Sequence, residues 1–231
     1  MSTNLTDQQF ESLRSLDACT LANAIETFRE RLRNEGFMNN SVHTLFPQFP
    51  PMLGYAATLK VRGSAPPMAD GRFVERTDWW DYVSSLPAPR VLVVQDAATR
   101  VGLGSLLGAV QFNILHALNC VGAVTNGSVR DLPAAESLGF PLFAGNIAVS
   151  HAYVHVVEFG YPVEIGGLKI ASGDLLHGDL HGVQSIPLDI APRIPAIAAG
   201  IRSREKNLID LCHSREFSVE KLRAAVSDKT S

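Results

Sequence analysis

Apolar residues recur along this chain with two periods, and the switches between them lay out its elements. In residues 7–34, Phe10, Leu13, Leu16, Leu21, Ala24, Ile25 and Phe28 return at helical spacing with polar residues between them. Asp17 or Thr20 is placed to cap a second helix, so a break is expected near residues 16–18. Residues 35–53 hold Gly36, Asn39, Asn40, Pro47, Pro50 and Pro51 and read as loop. Residues 54–63 alternate in the manner of a strand. Pro66 and Pro67 interrupt the chain. Residues 73–86 then read as a helix whose buried side is Trp79, Trp80, Tyr82 and Val83, ended by Pro87 and Pro89.

Residues 90–96 carry a continuous apolar run, the mark of a strand covered on both faces. After Gly102-Leu103-Gly104-Ser105, the residues Leu106, Val110, Ile114 and Leu118 fall four apart, which predicts a helix of about three to four turns with a glycine-rich start. A buried strand over 121–125 ends at Asn126-Gly127. A helix over 132–138 is capped by Gly139, and a short strand covers 141–144. Strand, helix, strand, helix, strand is an α/β unit with parallel strands. Beyond it, 152–160, 161–165, 168–171 and 183–186 are short strands. Gly166-Gly167 and Ser172-Gly173-Asp174 supply turns between them. Residues 187–225 are mostly helical.

Composition narrows the classes. At 231 residues with 46% hydrophobic and 19% charged positions, the chain can bury a core and is expected to form one domain, 1–231. Helices within about 1–35 and 188–231 are terminal additions to it. The net charge of −3 and the lack of a Lys/Arg block argue against nucleic acid and anionic membranes as partners. The uncharged stretch 101–129 is long enough to span a bilayer. Its Asn113, His116, Asn119 and Asn126 favour a helix followed by a strand instead. The N-terminus resembles no secretory signal. Cys19, Cys120 and Cys212 are odd in number and widely spaced, as expected for free thiols in the cytoplasm.

The sharpest chemical signal is Arg130-Asp131, opposite charges just past a buried strand. A guanidinium offers a planar fork to a carboxylate, and an adjacent aspartate can take a hard divalent cation. The competing reading is a salt bridge, or Asp131 capping the next helix. Gly102-x-Gly104 suits either an anion at a helix start or close helix–strand packing. Asp174, His177, Asp179 and His181 match no zinc spacing and read as a polar turn. His151 and His155 share a face without making a site, and His116 is packed or at a helix rim. Ser105 and Ser128 lack a nucleophile elbow, and Cys120 belongs to the core. The Trp79-Trp80 pair reads as packing.

The blocks GSLLGAVQFNILHALNCVGAVTNGSVRDLPAAESLGFPLFA and PVEIGGLKIASGDLLHGDLHGVQSIP resemble the RraA-like family, over roughly residues 15–215. That family includes the regulator of RNase E activity and class II pyruvate aldolases acting on 4-hydroxy-4-methyl-2-oxoglutarate and 4-carboxy-4-hydroxy-2-oxoadipate. Some members decarboxylate oxaloacetate. The resemblance implies an α/β/β layered sandwich similar to swivelling phosphohistidine domains. It also implies homotrimers or homohexamers with sites at subunit interfaces. Arg130 then contacts a small 2-oxo acid such as pyruvate, and Asp131 binds Mg²⁺ or Mn²⁺. Backbone N–H groups at the helix start hold the substrate carboxylate, from either Leu106, Leu107 and Gly108 or Gly108, Ala109, Val110 and Gln111.

The chain departs from the family pattern at one acid, which falls on Ala109 by counting back from Arg130 or on Ser105 by local pattern. Glu26 and Glu205 are candidates to replace it. Three functions follow: a divalent-metal-dependent lyase on a 2-oxo acid, a non-catalytic regulator binding a ribonuclease, or a family enzyme with an altered substrate.

Overall fold

The computed structural model describes residues 5–66 and 76–227 of the chain. Helices α1 (Asp7–Arg14) and α2 (Ala18–Glu26) open it. Thr6 accepts the Gln9 N–H while the Gln9 side chain reaches back to the Thr6 N–H, closing a capping box on α1. Asp17 caps α2 through the Thr20 N–H at 2.8 Å, so the break lies where the polar residues placed it. Helix does not continue to residue 34. Arg29 adopts φ 58°, and a left-handed residue ends a helix.

Strands β1 (His43–Thr44), β2 (Met52–Arg62) and β3 (Arg90–Asp96) follow, with α3 (Asp78–Ser85) between the last two. The N-terminal part of the helix expected over 73–86 lies outside the described residues up to 75, and Arg76 and Thr77 are not helical. Next come α4 (Ala109–Ala117), β4 (Cys120–Val129), α5 (Leu132–Ser137) and β5 (Leu142–Ile147). Then β6 (His155–Phe159), β7 (Val163–Ile165), β8 (Leu168–Ile170), β9 (Leu175–Asp179) and β10 (Gly182–Ile186) lead to α6 (Ile194–His213) and α7 (Val219–Ser227). Strand β9 runs through residues expected to form a polar turn; the turn itself is confined to Leu180 and His181.

Strands β2, β3, β4 and β5 are parallel neighbours. The free edge of β2 is shared by two antiparallel strands, β9 on Met52–Tyr55 and β6 on Leu59–Arg62. The two ends of the sheet, β1–β5 and β9–β10, are drawn together by one segment: Phe37 bridges Gln184 on β10, and His43–Thr44 pairs with β5. The class is mixed α/β as expected. The main sheet, however, nearly closes on itself, and the second β layer is only the β7–β8 hairpin.

Alternation along the strands separates two cores. Met52, Ala56, Val91, Val93, Val124, Phe143, Leu176 and Val183 point inward and are stoppered by Val163, Ile165, Leu168 and Ile170 of the hairpin. On the outer face, Ala57, Leu59, Leu92, Val94, Ala123 and Leu142 carry Trp79 and Val83 of α3, Phe112 and Leu115 of α4, and Cys120. Trp79 is buried as packing, and burial pushes the Cys120 thiol up to about 12. A third cluster joins α1, α2 and α6 over Leu53, Tyr55, Leu175 and Ile186. The terminal helices therefore pack on each other as well as on the sheet. No helix among the described residues is long and apolar enough to cross a membrane.

Asp17 also pairs with Arg202 of α6 at 2.8 Å. Partial burial opposes its charge, but the Thr20 N–H, Arg202 and the Thr20 hydroxyl hold its carboxyl well below the usual carboxylate range. A depressed folded-state value means stability that is present above the ordinary pKa of 3.8 and lost as pH falls below it. Asp17→Ala should lower unfolding stability at pH 7 by about 1 kcal/mol, the usual worth of such a cap. Urea titrations at pH 7 and pH 3 should also show a flatter acid dependence in the variant.

Candidate functional site

The parallel strands β3 and β4 end at a loop held by buried polar groups, the usual place for a ligand site in such sheets. Asp96 closes β3. Its Oδ1 accepts the Ala98 N–H at 3.0 Å, and its Oδ2 accepts the Gly102 N–H at 2.8 Å. Asn126 of β4 answers with two bonds to the Asp96 backbone, at 2.7 and 3.0 Å. Asn126-Gly127 does not end the strand as expected. The pairing with β5 shifts register between Thr125 and Ser128, a bulge after which β4 runs on to Val129.

The glycine-rich segment does not open the helix either. Residues 102–108 remain loop, and α4 begins at Ala109 with Gly108 as N-cap. The glycines serve close approach. A Cβ on Gly104 would stand 2.5 Å from the His151 carbonyl oxygen, and Ser105 N–H donates to Ser150 O at 3.1 Å. Leu107 bridges Val129, and the Arg130 N–H donates to Leu107 O at 3.0 Å. Loop 102–108 is thus threaded between the end of β4 and residues 148–154, which link β5 to β6.

Arg130 and Asp131 follow β4 directly. Asp131 occupies the N-cap position of α5 in the left-handed region, φ 56°, without capping that helix through its side chain. Aspartate tolerates this region better than most residues. Its Oδ2 instead turns back to accept the Ala109 N–H at 2.9 Å, and Arg130 Nε stands 3.8 Å from the same oxygen. Gly108 fits beneath this pair because it has no side chain: a Cβ there would meet Asp131 Oδ2 at 2.8 Å and Arg130 Nε at 3.0 Å.

A cavity of about 320 Å³ opens over the pair, lined by Ser105, Leu106, Gly108, Ala109, Val110, Gln111, Arg130, Asp131, His151 and Val154. The first-turn N–H groups of α4 have no partner within the helix, and that of Ala109 is taken by Asp131. Those of Val110 and Gln111 stand at the positive end of the helix dipole, suited to an anion. Gln111 turns its Oε1 inward, where it meets no donor.

The other expected residues sort cleanly. Leu107 is buried and does not line the cavity; its N–H and carbonyl are both bonded to the Ser105 hydroxyl, so its backbone is not free for a ligand. Ser105 is buried and spends its hydroxyl on that contact. Ala109 stands beside Asp131, which makes it the nearer counterpart of the family's missing acid. Glu26 pairs with Arg33 at 3.4 Å and Glu205 lies on α6; neither lines the cavity. His177 and Asp179 are structural. His177 Nε2–H donates to Leu16 O at 2.9 Å, and Asp179 accepts the Ala18 and His181 N–H groups. Among the described residues, no group of three or more His, Cys, Asp or Glu could hold a metal. His151 is the residue the sequence did not bring forward. Its spacing from His155 said nothing; only the threading of loop 102–108 beside it brings it to Arg130. A larger cavity of about 680 Å³ near Lys60, Arg62 and Lys169 also holds Glu158 and Glu164, and Lys60 is paired to Glu158 at 2.6 Å.

A family model described as RraA-like: Aldolase/RraA matches residues 5–184. The chain belongs to this family. Within it, a Halalkalibacterium halodurans protein named "Putative 4-hydroxy-4-methyl-2-oxoglutarate aldolase" is 26% identical over 125 residues, 54% of this chain and 53% of that protein. The chain spans about half or less of the length of the curated relatives it matches. Among solved structures, a Pseudomonas syringae protein superposes with TM-score 0.74 at 20% identity, covering 97% of this chain and 96% of that one. Streptomyces coelicolor RraAS2, described as an unusual member of the RNase ES inhibitor RraA protein family, superposes with TM-score 0.69 at 20% identity, covering 88% and 97%. Both likenesses show the shared fold.

Gly108→Ala should push Asp131 off the Ala109 N–H while leaving the cores intact, since only side-chain ends are in the way. Amide hydrogen exchange at Ala109 should speed up by about tenfold, matching loss of about 1.4 kcal/mol of protection. The thermal midpoint should move by no more than a few degrees.

Proposed function

We propose that the chain is a divalent-metal-dependent lyase acting on a 2-oxo acid, by aldol cleavage that releases pyruvate or by oxaloacetate-type decarboxylation. The observation that carries this reading is the meeting, in one cavity, of Arg130, Asp131 and the free N–H groups at the start of α4. The relative named for 4-hydroxy-4-methyl-2-oxoglutarate agrees with it. The chain acts as one domain in this reading, in the reducing cytoplasm that suits its three free thiols.

The substrate carboxylate lies between the Arg130 guanidinium and the N–H groups of Val110 and Gln111, which orients the 2-keto group toward Asp131. The residues fit Mg²⁺ or Mn²⁺ of the kind that keeps its waters and needs few protein ligands: Asp131 offers one carboxylate, with Oδ1 free of the Ala109 bond. Bound there, the metal polarises the 2-keto oxygen as a Lewis acid. Arg130 stabilises the negative charge that gathers on the 2-oxo acid as its C3 bond breaks. Leu106 and Val154 form the apolar wall, and Ala109 leaves space where an acid would stand.

Exposed apolar side chains occur on Val110, which lines the cavity, and on the chain at and beyond the end of β5. Val110 is 72% exposed, Ile147 60% and Val149 98%. With Leu103 and Tyr153 they form a patch that water disfavours and a second copy of the chain would cover, in a homotrimer or homohexamer with its sites at the interfaces. Val149→Glu should shift the mass measured by light scattering toward the monomer.

Turnover of oxaloacetate and of a 4-hydroxy-2-oxo diacid should require Mg²⁺ or Mn²⁺ and stop in EDTA. Asp131→Ala should lower kcat/KM by on the order of 100-fold, and Arg130→Lys should raise KM about tenfold, the worth of one charged hydrogen bond. Activity that survives both EDTA and Asp131→Ala removes the metal from the reaction. No turnover of either acid by the wild-type chain, with tight capture of a ribonuclease, marks a regulator instead.

A further inference from the structure

We infer that His151 is the proton acceptor of this site, taking the place of the acid that Ala109 lacks; the inference rests on the lyase reading above. Among the described residues that line the cavity, only Asp131 and His151 carry a side chain of the kind that serves as a general base. The Asp131 Oδ2 is engaged by the Ala109 N–H and faces Arg130, and on the lyase reading this carboxylate would hold the cation. His151 is not committed. Its Nδ1 lies 2.8 Å from Ala152 O, and a carbonyl only accepts, so Nδ1 carries the proton and the lone pair sits on Nε2.

The backbone that carries His151 is fixed on three sides. His151 O accepts the Val154 N–H at 3.0 Å, and Ser150 O accepts the Ser105 N–H at 3.1 Å. Gly104 presses against the His151 carbonyl so closely that any side chain there would collide with it. The next residue, Ala152, adopts φ 49°, a left-handed conformation that is strained for an alanine. This backbone geometry supplies the carbonyl that sets the imidazole tautomer. Packing alone gives no account of it, because His151 is exposed.

The step balances as follows. Nε2 takes the proton of the substrate's C4 hydroxyl. The O–H electron pair forms the new C4 carbonyl, the C3–C4 bond breaks, and its electron pair passes to C3 and the C2 carbonyl as the pyruvate enolate. The proton held on the imidazolium then returns to C3, giving pyruvate and restoring the neutral ring. The same base removes a methyl proton from pyruvate in the reverse sense, so the enzyme exchanges the methyl protons with those of solvent.

Two readouts test this with the full-length protein, its thermal midpoint checked for each variant: cleavage of a 4-hydroxy-2-oxo diacid, and loss of the pyruvate methyl signal by proton NMR in D₂O. His151→Ala and His151→Gln should each lower kcat for cleavage and the exchange rate by about 100-fold, the usual share of a general base, with KM changed less than about threefold. Added imidazole should restore His151→Ala at least about tenfold. Variants that fold and retain both rates within about threefold of wild type overturn the role of His151 and leave the lyase reading standing. A raised KM with unchanged kcat does the same, since it marks packing or binding. If the wild-type chain neither cleaves the diacid nor exchanges pyruvate, the role of His151 falls, and turnover of oxaloacetate decides the lyase reading separately.

Discussion

The structure depends on how β2 is paired. Tyr55–Val61 run beside β3 on one edge, and the other edge is divided between β9 and β6. The register shift between Lys60 and Val61, within the part that pairs with β6, adds twist where the sheet bends. Both faces of β2 are also covered, by the β7–β8 hairpin core on one side and by the core under α3 and α4 on the other, which is why nearly all of β2 is buried. Gly54 belongs to this constraint. A Cβ there would stand 3.0 Å from Pro89 O, so any side chain would press on the backbone where β2 passes the start of β3.

The site follows from this arrangement. Because β6 must return to β2, the chain leaving β5 has only residues 148–154 in which to turn, and that turn passes over the cavity. Loop 102–108 lies beneath it, tied to β3 by Asp96 and to β4 by Ser128, whose hydroxyl donates to Gly102 O at 2.6 Å. Buried polar groups are costly unless paired, and here each is paired with the loop it positions. Two of the left-handed residues, Asp131 and Ala152, lie in the two segments that carry the cavity's ionisable side chains. Strain of this kind persists only where the surroundings dictate it.

Where local chemistry decided the structure, it was legible. Asp17 as a cap, Gly166-Gly167 as a hairpin turn and the buried run after Arg90 depend on neighbours a few residues away. The Arg130-Asp131 pair was legible for the same reason, since both residues follow one strand. The helix start was not. The four-residue spacing of Leu106 and Val110 suits a helix, but Leu107 is taken by a bridge to Val129, a partner supplied by the sheet, and α4 begins only after it. Likewise β9 reads as a polar turn because His177 and Asp179 are buried there by bonds to Leu16 and Ala18, some 160 residues earlier. His151 belongs to this second class. Nothing in HAYVH announces a site; the crossing of two loops makes one.

The same distinction bears on the acid the chain lacks. From the sequence, Ser105 and Ala109 were equal claimants to that position. In the folded chain they are not equal, because the Ser105 hydroxyl is consumed by Leu107 while Ala109 stands at the cavity with its N–H on Asp131. Placing a carboxylate at residue 109 would set a second negative charge beside Asp131, and like charges so close raise each other's pKa. The cavity with Ala109 avoids that repulsion. It keeps a single carboxylate facing Arg130, and the imidazole that also lines it comes from a different segment. On the proposed reading, Asp131 holds the cation and His151 moves the proton, so the two tasks fall to separate segments of the chain.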